Sequence, residues 1–478
     1  MKDSGASPAP GGLAALCRRQ TLRLTALGGS DTAKAAGLAG AMIANNIIAL
    51  ASTFVFARVV NDYGALAALV SYLIILTVAG QAMQVATARE GVLGHLGEGE
   101  GLIATVKKWS WTMLGITAVL TVVSILLRHP IANLVGGHTI PAWAAAAGLP
   151  AGCVYLQLSL LRGVLQGLGD YRSVGVSLIA EQGSRLVIGA LLAVAGLSVT
   201  GAFLGSLASY IAMSLYCAWE LRRRIPSPVE PHLVSAGAVQ PAVGLWTHIR
   251  RAWAPIAGLI VIAVLQNIDV IAAKHRFGQV NVASSYAASA VAAKVLIWVA
   301  MGAGYYLVPE VSRRRANGED TRVILIRALS IVGICAVPVL AIYALAAHPL
   351  IQIAFGSKRT LATGSLLPLG AAFTVLACTY LAVQYMLALK HTLFLLVLGV
   401  VAAAEPVLLL QASRRPAGFA AVVLAVQAVG ALLAFALALR RDSAPPATRE
   451  TTGRDLALSR SWSKRAPAEA LAPADRHS

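Results

Sequence analysis

Charge is what this sequence lacks. Only 12% of its 478 residues are Asp, Glu, Lys or Arg, against about 25% in an ordinary soluble domain. Acidic residues are the scarcer sign, 20 against 39 basic. A chain so poor in charge cannot cover a water-facing surface, which excludes a soluble globular protein. Cysteine is sparse too. The five residues Cys17, Cys153, Cys217, Cys335 and Cys378 are scattered without a CxxC pair, so neither a disulfide framework nor a thiolate metal site is indicated. Walker A, G-x-S-x-G and HExxH sequences are all missing, which removes the P-loop, α/β-hydrolase and zinc-peptidase readings. The expectation is a protein that is not an enzyme and needs no cofactor or metal.

What the sequence has is hydrophobicity: 58% apolar residues and a mean hydropathy of +0.73. Runs of about 20 apolar residues, enough to cross a hydrocarbon layer of about 30 Å, recur along the chain. Twelve are expected, at 36–57, 64–86, 110–128, 142–165, 174–196, 199–220, 252–273, 284–308, 324–347, 364–388, 391–412 and 417–440. The two-residue alternation of a barrel strand is not seen, and a helix satisfies its backbone within one segment in lipid. The predicted class is therefore an all-α integral membrane protein.

Basic residues orient it. With the N-terminus in the cytoplasm, 29 Lys and Arg fall on the cytoplasmic side and 8 on the other, so the positive-inside rule places both termini inside. The net charge of +19 is then a membrane signal, not one for nucleic acid, and the basic tail is suited to anionic lipid headgroups.

The stretch "RRRIPSPVEPHLVSAGAVQPAVGLWTHIRR" divides the spans six and six. The expected organisation is a basic cytoplasmic tail (1–35), an N-lobe (36–221), a cytoplasmic linker (222–251), a C-lobe (252–440) and a disordered tail (441–478), the last rich in Ala, Pro, Arg and Ser. The halves resemble each other: Asn46-Ile47 meets Asn267-Ile268, Tyr63 meets Tyr286, and Gly80 meets Gly302. An even number of spans per half gives a parallel repeat about an axis along the membrane normal, which is a transporter plan. Gly148/Gly152, Gly163/Gly167 and Gly201/Gly205 are spaced for close helix approach. Pro150, Pro255, Pro338, Pro368 and Pro406 are expected to kink their spans, with Pro255 and Gly258 the expected hinge.

Charges inside spans carry the functional signal. One charge at a bilayer centre costs on the order of 2.5–3.5 kcal/mol on insertion scales, yet "VSLIAEQGSRLVIG" places Glu181 and Arg185 four residues apart. That spacing puts them on one helix face, where they can pair. Asp269, Lys294 and Glu405 lie in later spans, and Arg162 near the inner end of the fourth. A bundle fixed by ion pairs and a cavity lined by charge are both open on this evidence. A cationic cavity suits an anionic substrate, because guanidinium binds phosphate oxygens bidentately.

"LLRGVLQGLGDYRSVGVSLIAEQGSRLVIGALL" (160–192), "FARVVNDYGALAALVSYL" and the second-half "NIDVIAAKHRFGQVNVASSYAASAVAAKVL" resemble segments of the polysaccharide exporters. These are the oligosaccharide flippases of the multidrug/oligosaccharidyl-lipid/polysaccharide (MOP) superfamily. The resemblance runs over residues 36 to 440. It implies a MATE-like pair of six-helix lobes around a central cavity, a polyprenyl-diphosphate-linked oligosaccharide as cargo, alternating access, and a bacterial inner membrane. Membrane lipids are expected partners, and cell-envelope polysaccharide synthesis proteins are candidate ones; nothing demands an oligomer. Arg162, Arg185 and Lys294 are the positions that would engage the diphosphate or acidic sugars, with Glu181 and Asp269 completing the expected substrate-binding set. The lipid II branch carries two further spans, for which twelve leave no room. The drug-antiporter branch places an acidic residue in the first span; Ala36–Ala57 has none. An ion-coupled multidrug or metabolite antiporter on the same fold is the alternative expectation.

Overall fold

The computed structural model describes residues 31–97, 99–224 and 244–439. The readings of the two tails and of most of the linker concern residues outside this range. Among the described residues the chain is helical throughout, without a strand. The first half contains α1 (Asp31–Val59), α2 (Tyr63–Val92), α3 (Glu100–Leu126), a short α4 (Arg128–Gly136), α5 (Ala142–Gly167), α6 (Tyr171–Leu192) and α7 (Ser198–Arg224). The second contains α8 (Leu245–Arg251), α9 (Trp253–Arg276), α10 (Val280–Ala293), α11 (Val295–Ala316), α12 (Arg322–Leu345), a short α13 (Ala347–Phe355), α14 (Leu366–Ala388), α15 (Leu393–Gln411) and α16 (Pro416–Ala438).

Among the described residues, eleven helical segments are long and apolar enough to cross a membrane. One of them, Tyr171–Arg224, runs for 54 residues, twice what a crossing needs. It folds back at 193–198, where Gly196 takes φ +102° and Ser198 φ +43°. A hairpin register follows: a Cβ on Gly205 would meet the Gly189 backbone at 2.6 Å, and one on Gly201 would meet Leu192 at 2.6 Å. The segments thus make twelve crossings, with α10 and α11 sharing one. Two spans differ from expectation. Helix α3 starts at Glu100, ten residues early, and α11 continues to Ala316, because helices run on past the apolar layer. Lys107 and Lys108 are exposed on that extension.

Local sequence explains the starts. Asp62 caps α2 by accepting from the Ala65 N–H at 2.9 Å, and Asp170 caps α6 by accepting from the Ser173 N–H at 3.2 Å, each satisfying a free helix-terminal donor. Gly169 precedes the second cap at φ +77°, a conformation glycine adopts without cost. Pro255 and Pro368, expected to kink spans, lie in the first turns of α9 and α14. There the missing N–H has no intrahelical partner anyway, so the Pro255 hinge is not supported. Pro150, Pro338 and Pro406 do sit inside helices.

Small residues set the packing. A Cβ on Gly148 would lie 2.2 Å from the Tyr72 ring, one on Gly152 3.1 Å from Leu76, and one on Gly167 3.0 Å from Gly91. The partner positions are separated by the same interval throughout, so α2 and α5 run parallel in fixed register. The first six spans pack chiefly among themselves, as do the last six, and α2 meets α9 between the two lobes. Leu126, Ile334, Val337, Leu345 and Leu432 remain exposed, as lipid-facing residues do.

The end of the molecule where the described chain begins is termed proximal, the other distal. At the distal end the two halves repeat a feature: α3 leads into α4 through His129-Pro130, and α12 into α13 through His348-Pro349. Both short helices have nine residues, and each reaches across to the other lobe. His275, in the last turn of α9, bonds through Nε2 to the Leu134 carbonyl of α4 at 2.9 Å. Arg58, in the last turn of α1, donates to the Ile353 carbonyl of α13 at 2.5 Å. Leu134 and Ile353 are each the seventh residue of their helix. Lys274 pairs with Asp62 at 2.7 Å, and the Gly64 N–H donates to Ser284 Oγ at 2.9 Å. The distal end is therefore closed across the lobes.

At the proximal end, helix α8 docks on the first lobe. Its His248 is buried, stacks on Trp109 with ring centroids 5.1 Å apart, and lies 3.0 Å from Thr87 Oγ1. Burial pulls the His248 pKa below its usual 6.5; Glu90 opposes the shift and Arg251 adds to it. A depressed histidine contributes stability that is complete above the unfolded pKa and is lost progressively as pH falls from there through the folded one. Hydrogen exchange in residues 244–251, corrected for intrinsic rate, should therefore speed up between pH 7.5 and 5.5. In His248→Phe, which keeps the ring stack, exchange should become independent of pH over that window.

Candidate functional site

Where α2 meets α9 the lobes enclose a cavity of about 190 Å³. Its first-lobe wall comes from Ser52, Thr53 and Phe56 of α1, Tyr63 and Ser71 of α2, and Arg185 of α6. The second-lobe wall comes from Gln266 and Asn267 of α9, Lys294 at the α10–α11 junction, and Trp298 of α11. Two cations thus face one space from opposite lobes, and no carboxylate is among the lining residues.

The expected pair of Glu181 and Arg185 does not form. Glu181 instead bonds Arg162 of α5, Nη1 to Oε2, at 2.8 Å. Arg162 is wholly buried and is held further by Ser177, donating through Nε to Oγ and through Nη2 to the carbonyl, both at 2.8 Å. Helix geometry gives the reason. Ser177, Glu181 and Arg185 lie one turn apart along α6, and a guanidinium arriving from α5 spans the first two. Arg162 therefore ties α5 to α6 and is not among the residues lining this cavity. Arg185 is left without an ion pair or hydrogen bond among the described residues, and its buried Nε is unpartnered. An orphaned donor on a cavity wall is what a ligand would satisfy.

In the second lobe, Lys294 is backed by a polar cluster. Its Nζ lies 3.6 Å from Asp269 Oδ1 and 3.4 Å from Asn267 Oδ1, and 5.2 Å from the centre of the Phe373 ring. Tyr286 donates to Asp269 Oδ2 at 3.3 Å. Asp269 is fully buried behind the lysine, so it holds the ammonium in place without itself facing the cavity. Glu405 lies deeper, accepting from the Gln427 amide at 3.1 Å, and Gln427 also donates to the Leu265 carbonyl. Sequence reasoning missed Gln266, Trp298, Ser52 and Thr53 as cavity residues. Nothing in their local pattern separates them from packing side chains. Among the described residues, no group of His, Cys, Asp and Glu is arranged to hold a metal ion.

Compared by sequence, the chain matches no protein-family model and no curated protein. By structure it is similar to an inward-facing multidrug-resistance MATE transporter of the MOP superfamily, at 15% identity and TM-score 0.60, covering 84% of this chain and 96% of that one. It is similar to the lipid II flippase MurJ in an inward closed conformation, at 15% identity and TM-score 0.63, covering 84% and 87%. A third similar structure is a MOP-superfamily transporter from Pyrococcus furiosus with a binding pocket of reversed polarity, at 14% identity and TM-score 0.51, covering 86% and 96%. These proteins are transporters, not enzymes. The chain is an all-helical multi-pass membrane protein with the MATE-like fold of the MOP-superfamily transporters.

Proposed function

We propose that the chain is a flippase for a lipid-linked anionic oligosaccharide. The reading is supported above all by the acid-free cavity in which Arg185 and Lys294 face each other from different lobes. Guanidinium and ammonium together suit a diphosphate, and a wall shared between lobes lets lobe movement change its affinity. The polyprenyl tail stays in lipid while the headgroup passes. The basic-residue count favours a cytoplasmic proximal end, so the closed distal end faces outwards, in a bacterial inner membrane.

Depleting the protein in its host and extracting its polyprenyl-diphosphate lipids tests this reading. Intact oligosaccharide should accumulate in the cytoplasmic leaflet. An unchanged lipid-linked pool would overturn the proposal. The alternative, an ion-coupled antiporter, is supported by the buried carboxylates Asp269 and Glu405; for it, substrate addition should collapse an ion gradient across proteoliposomes.

A further inference from the structure

The distal closure leaves a second cavity, larger than the central one. It measures about 840 Å³ and lies where α1, α10 and the segment after α13 converge. Its polar lining is Arg58, Asn61, Asp62, Asn281, Ser357, Lys358 and Arg359. The charges in it are not equally available. Asp62 is taken by Lys274 at 2.7 Å, which removes most of its negative field. Arg359 is buried and donates to the Ala57, Val60 and Asn61 carbonyls at 3.3, 2.9 and 3.0 Å, satisfying the free C-terminal acceptors of α1. Arg58 is exposed and commits one nitrogen to Ile353. Lys358 is exposed and has no partner among the described residues. Two available cations, one from each lobe, thus line a cleft whose wall also includes Asn61 and Asn281.

We infer that this distal cleft is a binding site for a phosphate-class anion, bridging the lobes through Arg58 and Lys358. The chemistry fits a soluble oxyanion and a phospholipid headgroup alike, since both present phosphate oxygens to a guanidinium fork and an ammonium. The inference rests on these positions and is independent of what the central cavity carries. Because the cations come from different lobes, the site is complete only while the distal end is closed. Its ligand therefore favours the closed arrangement by its differential affinity.

The test uses full-length protein carrying Arg185→Ala, Lys294→Met and Asp269→Asn, so that neither central cation contributes and no buried carboxylate is stranded, in nanodiscs of zwitterionic phosphatidylcholine. Thermal unfolding is followed against inorganic pyrophosphate at constant ionic strength. Pyrophosphate should raise the Tm by several degrees, and the rise should vanish when Lys358→Ala or Arg58→Gln is added. If pyrophosphate has no effect but phosphatidylglycerol in the disc raises the Tm, and both substitutions abolish that rise, the ligand is a headgroup phosphate. No rise from either source overturns the inference, as does a rise that survives both substitutions. Those results leave the proposed cargo untouched, because export is not measured.

Discussion

Arg162→Ala is expected to remove most of the folded protein, not merely its activity. The substitution strands Glu181, which is 4% exposed and has its strongest partner in Arg162. An uncompensated buried carboxylate costs about 3–5 kcal/mol, a large fraction of the stability of a typical domain. The yield of monodisperse protein after solubilisation and the Tm in nanodiscs should both fall. Arg162→Met with Glu181→Leu should recover most of the loss, because replacing both charges by apolar groups of similar volume is often neutral. Normal yield with lost export in Arg162→Ala would instead show that the pair acts in transport.

Arg185→Ala should behave in the opposite way, keeping protein level and Tm while export falls. The side chain has no partner to strand and lines the interlobe cavity. A hydrogen bond to a charged group contributes about 1.5–3 kcal/mol, so affinity for a diphosphate headgroup should fall roughly 10- to 100-fold. Arg185→Lys should lose less, keeping the charge but not the bidentate fork. The measurement is headgroup accessibility at the outer leaflet in cells matched for protein level. Equal loss of protein and export would assign Arg185 to packing.

Much of the fold was legible because the bilayer imposes a length and a polarity on every crossing. Ten of the twelve spans lie close to the helices that form, and the divergent starts and ends are those where a helix continues into water. The glycine pairs were legible too, since close approach demands them: Gly148 and Gly152 do sit against α2. The partners of the buried charges were not. A four-residue interval shows that Glu181 and Arg185 share a face of α6, but nothing local shows that Arg162, nineteen residues earlier than Glu181, arrives at the same level from α5. Asp269 and Lys294 were picked out singly as charges in apolar runs; that they meet across a helix boundary depends on tertiary packing. The expectation of kinks failed for Pro255 and Pro368 for a smaller reason: each is the third residue of its helix, where a proline removes no intrahelical hydrogen bond.

The two cross-lobe contacts of α4 and α13 share a register, each made at the seventh residue of a nine-residue helix. They therefore form a bivalent contact about the pseudo-two-fold axis. Once one is made, the other closes within the same molecule at high effective concentration, so its formation no longer depends on an encounter. Any separation of the lobes at this end would have to release both, together with the Lys274–Asp62 pair and the Gly64–Ser284 bond. A closure held in this way is firmer than either hydrogen bond alone.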